Sequence, residues 1–132
     1  MVKSRFVYWK GLAMAIQRVG SGARLSEAVV ANGFVFLSGM VPEMDSSDDI
    51  TAQTADVLRQ IDDWLAQCGS DKAHIVEATI FLANMADYAG MNAAWDAWVD
   101  ANHSPARACV EAKLARGEWL VEIKVSAVVK TA

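Results

Sequence analysis

The 132-residue sequence predicts an α+β fold, one mixed β-sheet carrying two helices on one face. Three observations lead there. Two stretches repeat apolar residues every three or four positions, which is helical spacing. Three others alternate apolar and polar residues with the period-two pattern of a strand. Near the N-terminus, two short β-rich runs flank Asn32-Gly33, the strongest short cue for a hairpin. The resulting order is β-β-β-α-β-α-β-β, without internal repeats.

Along the chain, Ala15–Val19 is a short apolar run closed by the turn signal Gly20–Gly22. Ala28–Ala31 and Phe34–Leu37 form the arms of the hairpin, and Ser38-Gly39 ends the second arm. Met40–Asp49 reads as a loop, with Asp48 and Asp49 as candidate helix caps. Ile50, Thr54, Val57, Leu58, Ile61, Trp64, Leu65 and Cys68 define an amphipathic helix stopped by Gly69. His74–Leu82 alternates, with Val76, Ala78, Ile80 and Leu82 on one face. Tyr88, Met91, Trp95, Trp98 and Val99 place a second helix over Asp87–Ala101. Ala106–Leu114 and Trp119–Val129 alternate again and make the last two strands.

Composition limits the function classes. Hydrophobic residues are 54% of the chain and charged ones 21%, with two prolines, which excludes disordered and low-complexity classes. The formal net charge of −4 and the lack of a basic stripe make nucleic acid a poor partner. No apolar run approaches the ~18–20 residues that span a bilayer. Two cysteines do not make a disulfide scaffold, and no signal-peptide core is present, so the expected location is cytoplasmic. Residues 1–13 match no element and are expected to be a disordered extension or an upstream start, with Met14 as candidate initiator; 14–132 is then a single domain. Five tryptophans and six methionines exceed what one small core needs and suggest contact between subunits.

Generic catalytic motifs are missing. There is no phosphate loop, no GxGxxG turn and no CxxC pair, and His74 and His103 lack partners at metal spacing. The last two strands carry more information. With a turn at Leu114-Ala115, Arg107 and Glu122 become cross-strand neighbours; with one at Arg116-Gly117, Glu122 faces Glu111. Either register puts Arg107, Cys109 and Glu122 on one face. Two readings stay open: a structural ion pair, or a guanidinium that grips a substrate carboxylate beside a carboxylate that activates water.

At these residues the chain resembles a family. Ser38-Gly39, Gln53-Thr54, Cys68-Gly69-Ser70, Ala78-Thr79-Ile80-Phe81-Leu82, Met91-Asn92, Pro105-Ala106-Arg107, Cys109-Val110-Glu111 and Val121-Glu122-Ile123 fall in the order and spacing of the RidA/YjgF family. These are the reactive-intermediate imine deaminases, also labelled L-PSP endoribonucleases, and the similarity runs from about Ala15 to Val129. The Ala-Trp-Asp-Ala-Trp-Val helix looks most like the YoaB-type branch. The resemblance implies a chorismate-mutase-like fold, a homotrimer with clefts between neighbouring subunits, and hydrolysis of 2-imino acids or enamines to 2-oxo acids and ammonia. It implies no metal or organic cofactor, and a small imino or oxo acid as partner.

Carried over position by position, Arg107 would bind the substrate carboxylate and Glu122 would position or deprotonate water. Cys109, Ser38 and Gly39 would line the cleft, although a small apolar filler is an equal reading of Cys109. Asn92 matches a helix asparagine, for which a capping or inter-subunit hydrogen bond is the stronger alternative. Two positions depart from the pattern. Leu25 stands where the deaminases usually carry an aromatic residue, often tyrosine, so any step needing that hydroxyl is lost or moved. Met40 replaces a common glutamine and makes the pocket more apolar. The rival functions are a non-catalytic carboxylate-binding or regulatory module and, less favoured by charge, an endoribonuclease.

Overall fold

A computed structural model describes residues 15–43 and 48–131; the expectations for residues 1–13 and for Met14 fall outside the described residues. Within the described residues there are six strands, β1 (Ile16–Ser21), β2 (Ser26–Ala31), β3 (Phe34–Leu37), β4 (Ile75–Leu82), β5 (Ala106–Glu111) and β6 (Val121–Val128), with helices α1 (Ile50–Gln67) and α2 (Tyr88–Trp98). The chain order of strands and helices is the one the sequence predicts.

Local chemistry explains the boundaries. Asn32 and Gly33 take φ of 52° and 83°, the left-handed conformation that the β2–β3 turn requires. The Asp49 carboxylate accepts from the Ala52 N–H at 3.0 Å and caps α1. Gly69, at φ 77°, ends that helix in the left-handed region. Burial pushes the Cys68 thiol up to about 11, so this cysteine serves as an apolar filler at the helix end.

The sheet order is β1-β2-β3-β6-β4-β5. All neighbours are antiparallel except β4 and β5, which run parallel across the α2 connection. One face packs on the helices: Ala28, Val30, Val35, Leu37, Ala78, Ile80, Leu82, Val121, Ile123 and Val125 meet Val57, Leu58, Ile61, Leu65 and Met91 in a closed core. The opposite face is open and carries Phe34 and Phe36, each 42% exposed, with Val110 at 43%.

This topology corrects the expected hairpin of the last two strands. β5 and β6 are not neighbours, because β4 lies between them. Arg107 pairs with Ala78, a core position, whereas Glu122 pairs with Phe81 on the other face. Arg107 and Glu122 therefore project from opposite faces of the sheet, and both turn registers considered for them are overturned. A strand–helix–strand segment builds a parallel pair and leaves the neighbouring position free for a later antiparallel strand. A second correction concerns Val76. The pairing with β6 shifts between Ile75 and Glu77, a β-bulge that buries Ile75 and leaves Val76 45% exposed.

Candidate functional site

Two clusters of the expected site residues emerge, one on each face. The first is built on α2 and the edge strand β5. Tyr88, Asn92 and Trp95 stand at i, i+4 and i+7 and so share one face of α2. Arg107 enters that face from β5. Its Nη1 donates to Asn92 Oδ1 at 2.8 Å and its Nη2 to the Tyr88 hydroxyl at 3.2 Å. The guanidinium carbon lies 5.1 Å from the Trp95 ring centroid and 5.9 Å from that of Tyr88, within cation–π range.

The charge balance of this cluster is its main feature. Among the described residues no carboxylate lies within ion-pairing distance of Arg107; its contacts are neutral acceptors and ring faces. Two of its five N–H donors are engaged and three remain available. A planar cation fixed in this way, with donors to spare, suits a bidentate carboxylate. Asn92 acts inside α2, not as a cap, since it accepts directly from the arginine. Cys109 is two residues along the same strand face, half-buried and free. Burial pushes its thiol pKa up, and the Arg107 charge opposes that only in part. A thiol in that state is a poor nucleophile near neutral pH.

The second cluster surrounds Glu122 in the middle of the open face. Met40 and Ile123 exchange both backbone hydrogen bonds, at 2.8 and 3.0 Å, which extends the β3–β6 contact beyond Leu37. Gly39 thereby lies directly against the Glu122 side chain. A Cβ at position 39 would sit 2.1 Å from Glu122 Oε2, so glycine is what lets the carboxylate lie there. The Glu122 carboxylate accepts no hydrogen bond and forms no ion pair among the described residues. Ser38 anchors the strand end, its hydroxyl donating to Ser26 O at 2.6 Å and its N–H to Glu27 O at 2.9 Å.

Gln53 holds the approach to β6 from below. This buried α1 residue donates to Glu118 O at 3.0 Å and accepts from Leu120 N at 2.8 Å, two residues before Glu122. Asp56 performs a related task for the segment after β3. Burial works against its charge, but the Glu43 N–H, Arg59 and Gln60 outweigh it and hold the carboxyl below its ordinary pKa.

Leu25 precedes Ser26, whose carbonyl accepts from the Ser38 hydroxyl, and so lies at the Ser38 end of the second cluster. It is 52% exposed in the β1–β2 turn, at the sheet edge opposite β5. One chain thus gathers Arg107 and Asn92, with Cys109 beside them, and separately Ser38, Gly39 and Glu122. Tyr88 and Trp95 were visible in the sequence only as part of an apolar stripe. The signal that marks them is the polar Asn92 set between them at helical spacing. His74 and His103 pair with Asp71 and Asp100, at 2.6 and 3.0 Å, away from both clusters.

Comparison with known proteins agrees with this architecture. Residues 15–129 match the family described as Endoribonuclease L-PSP. A RutC family protein of Haemophilus ducreyi is 46% identical over 114 residues, covering 86% of this chain and 97% of that one. The RutC family protein YoaB of Escherichia coli K12 is 45% identical over 116 residues, 88% of this chain and 100% of its own. A crystal structure of a YjgF-family protein from Neisseria meningitidis superposes with a TM-score of 0.87 at 60% identity, covering 91% of this chain and 99% of its own.

Proposed function

Because the chain belongs to the endoribonuclease L-PSP family, which brings together RutC, YjgF and Rid proteins, we propose that it is a cytoplasmic homotrimeric deaminase of reactive 2-imino acids. The observation that carries the proposal is Arg107: a guanidinium oriented by Asn92, Tyr88 and Trp95, with no carboxylate to neutralise it among the described residues. The substrate carboxylate supplies the missing counter-charge. Its imine carbon is then held at a fixed distance from the anchor.

The chemistry needs one base. Water adds to the C=N carbon while its proton passes through Glu122 to the nitrogen, and the hydroxyl proton of the resulting carbinolamine follows the same path to the amine, which leaves as ammonia as the C=O bond forms. One imino acid and one water give one 2-oxo acid and one ammonia. Glu122 has no protein donor among the described residues to satisfy its oxygens, which suits a group that orients water. Arg107 and Glu122 leave opposite faces of one sheet, so the proposed cleft joins Arg107 to Glu122 of the partner subunit, with Ser38, Gly39 and Leu25 lining the latter's side. No cofactor takes part in this scheme.

A second reading has its own support. The Arg107 cluster is complete within one chain, which favours a carboxylate-binding module that needs no Glu122. The test is ammonia and 2-oxo acid release from imino acids generated in place by an amino-acid oxidase, across alanine, leucine and phenylalanine precursors. Acceleration by the wild type, lost in Arg107→Ala, supports the anchor. Glu122→Gln then separates the readings: about 100-fold or greater loss of turnover with ligand affinity retained marks the deaminase. No acceleration on any precursor, with ligand binding intact, leaves the binding module. RNA cleavage that persists in Arg107→Ala would instead favour the ribonuclease.

A further inference from the structure

Building on Arg107 as the carboxylate anchor, we propose that Tyr88 contacts the substrate and acts as a second reader of its carboxylate. The phenol oxygen accepts from Arg107 Nη2 at 3.2 Å, so its own O–H points away from the guanidinium. Among the described residues that O–H donates to nothing, although it lies one contact from an unneutralised cation. Tyr88 is also 43% exposed at the first residue of α2, so the donor is open to solvent on the side where an anion would approach.

Geometry makes the pair act as a unit. The Tyr88 ring lies 5.9 Å from the guanidinium carbon, Trp95 covers it at 5.1 Å, and Asn92 fixes Nη1. A carboxylate oxygen seated at Nη2 comes within reach of the phenol O–H, and that oxygen gains a second donor. An amide or ester at the same place offers a neutral oxygen and gains less from both groups. Tyr88 therefore sharpens selection for the ionised acid.

Tyr88→Phe is the direct test, because it keeps the ring over Arg107 and removes only the oxygen. Wild type, Tyr88→Phe and Arg107→Ala are titrated calorimetrically with 2-oxobutanoate and with its uncharged amide. The expected result is about tenfold or greater weakening of 2-oxobutanoate in Tyr88→Phe, the scale of one hydrogen bond to a charged group. The preference for acid over amide should shrink by a similar factor, and KM should rise more than kcat falls. Unchanged affinity and acid preference in Tyr88→Phe, with binding still lost in Arg107→Ala, would overturn the role of Tyr88 and leave the anchor intact. Failure of the wild type to bind 2-oxobutanoate would overturn both.

Discussion

Gly39 and Glu122 show how a single missing methyl group shapes chemistry. The carboxylate oxygen occupies the volume a side chain would take, 2.1 Å from an ideal Cβ. The obstacle in Gly39→Ala is the far end of a flexible glutamate, so the fold should survive while the carboxylate swings aside. Turnover should fall about 10- to 100-fold, because a displaced base loses its line to water. Urea denaturation should stay within about 1 kcal/mol of the wild type. An active Gly39→Ala enzyme would remove Glu122 from the reaction. The sequence named both residues but not their contact, which depends on the β3–β6 register and has no trace in the spacing of 39 and 122. Asn92 was likewise legible as a residue and not as a partner of Arg107.

Elements divide into those that local pattern specifies and those that depend on pairing. α1 and its Asp49 cap follow from apolar spacing and a capping side chain, both local. The expected second helix, Asp87–Ala101, shortens to Tyr88–Trp98 because residues after Trp98 leave helical geometry at Val99. Alternation identifies β5 and β6 and the two faces of each, yet it carries no information about which faces coincide across the sheet. The β4–α2–β5 order did hold the clue, since strands joined through a helix pair in parallel. Gln53 ties these levels together. Its side chain takes the place of a neighbouring strand for Glu118 and Leu120, just before β6 begins. Gln53→Leu keeps the volume but leaves the Leu120 N–H and the Glu118 carbonyl without this partner. We expect a loss of about 2–4 kcal/mol by urea denaturation.

At the scale of the whole molecule, one face of the sheet carries no helix and exposes apolar side chains. Phe34 and Phe36 lie with ring centroids 6.2 Å apart on a surface without helices, and Val110 is exposed on the same face three strands away. Apolar residues grouped in this way mark an interface. For the proposed homotrimer, sedimentation equilibrium at micromolar concentration should give three times the 14.3 kDa chain mass. Phe36→Glu should reduce that mass and, with it, deaminase activity, since the proposed cleft draws on two subunits. A wild-type monomer would remove that cleft. Among the described residues no helix is long and apolar enough to cross a membrane.

The position of β6 has a consequence for how the chain is made. β6 is the last of the six strands in sequence, yet it lies inside the sheet between β3 and β4. Until it emerges from the ribosome, the β1–β2–β3 meander and the β4–β5 pair have no hydrogen-bonded bridge, and each exposes a raw edge. Contacts between segments so far apart in the chain close slowly. Pairing of β6 with both β3 and β4 is thus the step that joins the meander and the parallel pair into one sheet.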